Sequence, residues 1–316
     1  MDLRKAVVEA EKRIEGHVRT TPVEYSPHLS SISGCRVHLK LENQQRTGSF
    51  KLRGAMNKLL ALDDEERARG VVAASSGNHG VAVACGAAAL SCPALIFVPG
   101  TASGSKVDYV RSFGGEIRQV GDDCVVAEVA AREYARERGK TYISPYNDPL
   151  IVGGQGTIGR ELERQLEKID AVFVSLGGGG LISGIGGYLK AVDPSVRMVA
   201  CSPVNSPVMH ASLEAGRILE MASKPTLSDG TAGGVEQESI TFDLCRRIID
   251  GSVLVDESEI RDAVRLVIEH HHTLVEGAAG VAVAGFLKEK KRFEGREVVI
   301  VLCGANIDIP TLRRVL

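Results

Sequence analysis

The sequence predicts an α/β protein with open, mostly parallel sheets flanked by helices and arranged in two lobes. Three observations lead there. First, the β-branched runs VVAAS (71–75), ALIFVP (94–99), AVFVSL (171–176), MVACSP (198–203) and VVIVLC (298–303) are bounded by Gly, Ser or Pro. Strands buried on both faces have that pattern. Second, helical periodicity fills the intervals, as in VVAEVAAREYARERG (125–139) and ESEIRDAVRLVIEHHH (257–272). Strand and helix in alternation build parallel sheets covered on both faces. Third, the glycine-rich turns divide the chain into a βαβα block at 48–147 and another from 148 to 316. The N-terminal portion, 1–47, with an extended stretch from Val37 to Glu42, is assigned to the second block. The expected units are therefore a large one, 1–47 with 148–316, and a small one, 48–147.

Composition narrows the function classes. Of 316 residues, 44% are hydrophobic and 25% charged, with a formal net charge of -2. That balance predicts neither nucleic acid nor a membrane surface as partner, and no apolar run is long enough to span a bilayer. The N-terminus, MDLRKAVVEAEKRIEG, is charged and amphipathic rather than a signal peptide, so a cytoplasmic protein is expected. Seven cysteines without CxxC spacing suggest neither a disulfide framework nor a zinc site. They are read as small buried hydrophobes, Cys303 excepted. Tryptophan is absent and glycine numbers 35, which favours close backbone approach over aromatic packing.

Four segments carry chemistry. In HLKLENQQRTGSFKLRGAMNKLL (38–60) an alternating strand ends in a polar run. Gly48 and Ser49 are expected to form a turn and N-cap before a helix from about Phe50. Lys51 then lies in the first helical turn, where the dipole disfavours an ammonium and lowers its pKa. A Schiff-base lysine needs that, although a solvated surface lysine has the same local sequence. In VVAASSGNHGVAVACGAAA (71–89) a buried strand stops at Ser75-Ser76-Gly77-Asn78-His79-Gly80 and a small-residue helix begins. Backbone N–H groups and two hydroxyls there suit a carboxylate or phosphate, though polar caps before helices are common.

The third segment, AVFVSLGGGGLISGIGGYLK (171–190), runs from a strand into four glycines and a helix. The glycines allow the backbone to wrap a phosphate. This is not a dinucleotide fingerprint, because MVACSP stands where a ribose-binding carboxylate belongs. The fourth, EVVIVLCGANID (297–308), is a strand ending at Cys303, whose thiol points toward the usual ligand crevice.

Taken together, these segments resemble the fold-type II pyridoxal-phosphate enzymes, in particular the threonine/serine dehydratase (ammonia-lyase) and serine racemase branch. The resemblance spans nearly the whole chain. It is carried by RTTPVEYSPHLS (19–30), KLENQQRTGSFKLRGA (40–55), ASSGNHG (74–80), SPYNDPLIVGGQGTIGREL (144–162), SLGGGGLISG (175–184), SDGTAG (228–233), VEGAAGVAVA (275–284) and VLCGANID (301–308). It implies a two-domain, tryptophan synthase β-like fold and pyridoxal 5'-phosphate as cofactor. It further implies a small amino-acid substrate and a homodimer.

Residue by residue, the resemblance implies that Lys51 is the Schiff-base lysine, with Phe50 near the cofactor ring. Asn78 donates to the ring's phenolic oxygen. Ser75, Ser76, Gly77, Asn78 and His79 surround the substrate carboxylate. Gly177, Gly178, Gly179, Gly180 and Leu181 offer N–H donors to the phosphate. Cys303 pairs with the pyridine nitrogen, and Gly230 and Glu276 line the cavity. The implied reaction converts a small β-hydroxy amino acid, L-threonine or L-serine, to a 2-oxo acid and ammonia by α,β-elimination.

Some features depart from the branch's usual pattern. Ser76 matches the second-face base of eukaryotic serine racemases, where many dehydratases have alanine, so racemisation stays open as an alternative. Ser202 replaces the glutamate of the family's divalent-cation site, and no Asp or Glu follows before Glu214, so no metal is expected. His270, His271 and His272 are read as a solvated or packed helix face. The segment PTLSDGTAGGVEQESITFDLC (225–245) is closer to dehydratases, including the hydroxyectoine-utilisation type, which keeps 3-hydroxyaspartate-like substrates open. A cysteine-synthase reading is weaker, because that group prefers Asn-Thr-Gly over Asn78-His79-Gly80. A non-enzymatic sensor on the same fold would lack the reactive lysine. No regulatory domain is expected after VLCGANID.

Overall fold

The computed structural model describes residues 1–316. Its strands are β1 (Val23–Tyr25), β2 (Arg36–Lys40), β3 (Val71–Ala74), β4 (Ala94–Val98), β5 (Glu116–Gln119), β6 (Thr141–Tyr142), β7 (Ala171–Ser175), β8 (Arg197–Pro203), β9 (Gly251–Val255) and β10 (Glu297–Val301). They form a six-stranded sheet in the order β1-β2-β10-β7-β8-β9 and a four-stranded sheet in the order β5-β4-β3-β6. Only the β1–β2 pairing is antiparallel. The fold is thus mixed α/β with parallel sheets flanked by helices.

The six strands legible in the sequence, β2, β3, β4, β7, β8 and β10, are the interior ones. The four it did not mark, β1, β5, β6 and β9, are the sheet edges. An interior strand has neighbours on both sides and helices above and below, which makes β3, β4, β7, β8 and β10 largely apolar runs, whereas β2, RVHLK, alternates. An edge strand keeps polar residues. β5, sequence EIRQ, has no fully buried residue.

One apolar core follows the six-stranded sheet. A second fills one face of the four-stranded sheet and takes in Ile14 and Ile151 from outside residues 48–147. A smaller cluster built on Val72, Leu95 and Phe97 covers the other face. Helices Lys51–Leu60, Pro149–Gln165 and Gly180–Val192 join the two halves by backbone contact. A Cβ on Gly154 would lie 2.6 Å from Gly54 Cα, and one on Gly184 would lie 2.4 Å from Val152 O. No helix is long and apolar enough to cross a membrane.

Two local expectations need correction. The stretch Val37–Glu42 is not extended throughout. β2 stops at Lys40 and Glu42–Gln44 turns into a short 3-10 helix, which aims the Glu42 carboxylate inward. Ser49 does not cap the following helix. That helix is Lys51–Leu60, its cap position is Phe50, and no side chain caps it. Ser49 instead forms a β-bridge with Gly304.

Charge is buried where β2, that 3-10 turn and two of the helices meet. Arg53 lies in the first part of Lys51–Leu60 and is fully buried. Its guanidinium donates to Glu42 at 2.8 Å through both Nε and Nη2, and to Glu161 Oε1 at 2.6 Å and Oε2 at 2.9 Å. Lys40 Nζ donates to Glu161 Oε2 at 2.5 Å and to the Thr21 carbonyl at 2.8 Å. Two cations and two anions cancel. Burial works to raise the Glu42 pKa, but the Arg53 guanidinium overrides it and holds the carboxyl below its ordinary value. Removing one partner leaves an uncompensated buried charge, at a cost of about 3–5 kcal/mol. Arg53→Met is expected to lower the free energy of unfolding by about that amount, measured by urea titration of the holoenzyme and of the cofactor-free protein.

Candidate active site

The residues singled out above meet at the C-terminal ends of β3, β7 and β10, where open α/β sheets bind ligands. Residues 43–50 run beside the end of β10 as a strap. Asn43 N donates to Leu302 O at 2.8 Å, Phe50 N to Cys303 O at 3.1 Å, and Ala305 N to Gly48 O at 2.8 Å. The helix carrying Lys51 therefore starts from a backbone anchor on Cys303.

Lys51 Nζ donates to the Pro145 carbonyl at 2.9 Å and lies 5.2 Å from the centre of the Phe50 ring. Burial pushes its pKa down to about 8, with Cys303 and Glu276 pulling the other way. Cys303 is buried, and burial pushes its thiol well above the ordinary range, while a hydrogen bond with Ser175 opposes the shift. Ser175 Oγ donates in turn to the Ala278 carbonyl. Glu276 is buried and hydrogen-bonded. Burial lifts its carboxyl to about 7, against the pull of Asn78 and Asn306.

After β3, Ser75 Oγ accepts from Gly77 N at 3.1 Å and Ser76 is half-buried. The helix Asn78–Ala89 follows, with Gly77 at its cap position. Asn78 Nδ2 donates to both oxygens of Glu276, at 2.8 and 3.0 Å. The His79 ring lies 2.8 Å from the Ile143 carbonyl, which fixes Nε2 as the protonated nitrogen. Burial, reinforced by Lys51, depresses its pKa to about 3. The imidazole is neutral and committed to Ile143, so its backbone N–H is what the first helical turn leaves available.

After β7, the tetraglycine turn leads into helix Gly180–Val192. Gly179, at φ +82°, sits at the cap position, and the first helical hydrogen bond there runs from Ser183 N to Gly179 O. The N–H groups of Gly177 through Leu181 have no partner in the protein. No side chain would fit behind this turn. A Cβ on Gly178 would lie 2.4 Å from the Tyr146 ring and one on Gly179 2.7 Å from Cys245 Sγ. Gly230 lies across the cleft, its would-be Cβ 3.4 Å from Glu276 Oε1.

Tyr146, Pro145, Ser175 and Asn306 carry this geometry without having been singled out from the sequence. All lie in motifs that were quoted, SPYNDP, SLGGGG and VLCGANID, and Tyr146 could have been found as the bulky residue following the proline. Two of the three histidines make contacts and the third is exposed. His270 stacks on His28 at 3.6 Å, His271 Nε2 meets Ser26 Oγ at 3.0 Å, and His272 ends its helix in left-handed conformation. Ser202 is buried and donates to Leu176 O at 3.3 Å. No group of three or more metal-ligating side chains is gathered anywhere in the chain.

Comparison with known proteins decides the family. Residues 14–304 match the family described as pyridoxal-phosphate dependent enzymes. The chain belongs to that family. L-threonine ammonia-lyase of Thermotoga maritima is 40% identical over 310 residues, 98% of this chain and 77% of that protein. β-Hydroxyaspartate dehydratase of Paracoccus denitrificans is 33% identical, over 97% of this chain and 96% of that one. The structure of maize serine racemase superposes with a TM-score of 0.93 at 34% identity, covering 98% and 95% of the two chains.

Pyridoxal phosphate is the cofactor of this family, and the residues present fit it. A half-buried amine with a lowered pKa stands between an aromatic ring and a backbone carbonyl. Against Tyr146, the neighbour of the Pro145 to which Lys51 donates, five unpartnered N–H groups at a helix N-terminus form a cradle that would suit a phosphate. Capture of the cofactor requires the free amine, and a lysine held near pH 8 gains it as pH rises through that value. The rate at which cofactor-free enzyme captures pyridoxal phosphate, followed by absorbance, is expected to reach half its maximum near pH 8. Glu276→Gln removes an anion that raises the lysine pKa, so the midpoint should move lower. Gly178→Ala is expected to weaken cofactor affinity at least tenfold in an equilibrium titration, a loss of about 1.4 kcal/mol or more.

Proposed function

We propose that this enzyme is an ammonia-lyase that converts L-threonine or L-serine to a 2-oxo acid and ammonia. The observation that carries the reading is the half-buried Lys51 amine, hydrogen-bonded to the Pro145 carbonyl, with desolvation lowering its pKa to about 8. A base poised near neutrality is what proton abstraction at Cα requires. The 40% identity to an L-threonine ammonia-lyase supports the substrate class.

Bound at this site, pyridoxal phosphate supplies an aldehyde carbon for an amine and a conjugated ring that withdraws electrons from Cα. The chain's residues do the rest. The N–H groups following Ser76, with the Ser75 and Ser76 hydroxyls, hold the substrate carboxylate at a helix N-terminus. Lys51 Nζ takes the Cα proton. The Cα electrons form a double bond to Cβ as the Cβ–O bond breaks, and the hydroxyl departs as water with the proton that Lys51 gives up again. The enamine released takes up water and yields the 2-oxo acid and ammonia.

The choice of elimination rests on Cys303. Its thiol stays neutral under burial and cannot supply the negative charge that would keep a ring nitrogen protonated. Electron density at Cα is then better drained through a departing β-substituent than stored.

Two other readings have specific support. Ser76, half-buried beside Gly77, matches the place of a second-face base, and maize serine racemase is 34% identical. A β-carboxylate substrate is favoured by the β-hydroxyaspartate dehydratase relative. Against it, the Lys106 ammonium is already paired with Asp229, and Asp308 and Glu276 are its other charged neighbours. A second carboxylate would find no free cation in that group.

The test is 2-oxo acid release from L-threonine, L-serine and L-threo-3-hydroxyaspartate, with D-serine formation from L-serine measured alongside. Release from threonine or serine, lost together with the visible absorbance in Lys51→Ala, is the expected result. Retention of either in that variant would reject the assignment. Cys303→Asp is expected to raise racemised or transaminated product relative to 2-oxo acid, and an unchanged partition would remove the thiol argument.

A further inference from the structure

Asn306 stands outside the reading above, yet it touches three of the groups that define the cavity. Its backbone N–H donates to Glu276 Oε2 at 3.1 Å. Its side-chain Nδ2 donates to the Thr47 carbonyl at 2.9 Å and to Asn78 Oδ1 at 2.6 Å. The Gly48 turn, at φ +72°, presses against the other end of the amide. A Cβ there would lie 2.5 Å from Asn306 Oδ1.

Hydrogen-bond polarity follows from one end of this chain of contacts. An amide side chain can in general face either way, and its partners decide. Thr47 offers a backbone carbonyl, which only accepts. Asn306 must therefore present its NH2 group, and the second N–H of that group reaches Asn78. Asn78 can then offer only its oxygen to Asn306, which turns its own NH2 toward Glu276 and the cavity. With the opposite polarity, the Asn78 oxygen would face a carboxylate.

We infer that Asn306 is a positioning residue that locks the polarity of the Asn78 amide, so that Asn78 always offers a donor to the ring oxygen of the cofactor. The inference rests on the placement of Asn78 beside that ring. A fixed donor stabilises the anionic oxygen and makes it a weaker base. Once Asn306 is removed, Asn78 loses the partner of its oxygen and keeps only Glu276 to orient it, so the donor toward the ring oxygen is held less firmly.

The experiment is a pH titration of the visible absorbance of holoenzyme, for the wild type, Asn306→Ala, Asn78→Ala and the double variant. Asn306→Ala should move the midpoint upward by about one pH unit, the size expected for loss of one hydrogen bond to a charged form. Asn78→Ala should move it the same way, and adding Asn306→Ala to it should produce no further shift. Should Asn306→Ala fail to fold, Asn306→Ser carries the same expectation, because a rotating hydroxyl fixes no polarity. A wild-type midpoint in the single Asn306 variant overturns the inference, as do shifts that add in the double variant. A wild type that shows no visible band with pyridoxal phosphate would defeat the cofactor assignment itself, a separate outcome.

Discussion

A buried guanidinium sets the position of Lys51, the amine proposed to carry the chemistry. Arg53 follows Lys51 by two residues on the same helical turn, and it is held by four hydrogen bonds to two carboxylates from different parts of the chain. Glu42 comes from the turn after β2, and Glu161 from the helix Pro149–Gln165. Well-packed apolar residues would often be as stabilising as such a buried ion cluster. What they would lack is direction. A planar fork gripped on both sides fixes both the rotation and the depth of the helix start, and the amine of Lys51 inherits that placement. The strap of residues 43–50 adds a second restraint by tying Phe50 to Cys303. Helix and strand end are then one rigid unit at the point where the lysine emerges.

Within that frame, burial has a consistent electrostatic effect. It lowers Lys51 to about 8 and His79 to about 3, raises Glu276 to about 7, and raises the Cys303 thiol further still. Every titratable group near the amine is moved toward its neutral form. Positive potential is supplied instead by backbone N–H groups at two helix starts, Gly177–Leu181 after β7 and Asn78–Gly80 after β3. Peptide dipoles cannot be deprotonated, so this potential persists across the pH range in which the lysine must give up and recover a proton. Anions are drawn in without a permanent cation that would compete with the reacting amine.

How much of this was legible in the sequence depended on how local each feature is. Interior strands declare themselves because both faces are buried, and the glycine cradle because four successive residues form it. Edge strands β1, β5, β6 and β9 did not, since solvent on one side permits the polar residues of EIRQ or VEY. Lys51, the tetraglycine turn and the Ser75–His79 turn stand in short local motifs. Arg53, two residues after Lys51, and Asn306, three after Cys303, went unnoticed. Their partners are 11 and 108 positions away for Arg53, and 228 and 259 for Asn306. Nothing in a local pattern marks an arginine as buried or an amide as polarised. Ser49 looked like a helix cap for the converse reason, because its bridge to Gly304 is a tertiary contact that outweighs a local preference.

The two helix starts belong to different sheets, and this has a mechanical consequence. The cradle after β7 rides on the six-stranded sheet and the Ser75–His79 turn on the four-stranded one. If the two turns hold the cofactor phosphate and the substrate carboxylate as proposed, the distance between those groups is set by how the sheets are held together. Segment 228–240 spans that gap. Asp229 pairs with Lys106 from helix Gly104–Ser112, and Glu236 meets Arg132 at 2.9 Å and Asn147 Nδ2 at 2.8 Å. Tyr146, packed under Gly178, receives the Glu236 N–H on its hydroxyl at 3.0 Å. These contacts are polar and partly exposed, whereas the Arg53 cluster is buried and fully paired. Rigidity is concentrated at the lysine, and the more easily broken contacts lie along the segment that bridges the sheets.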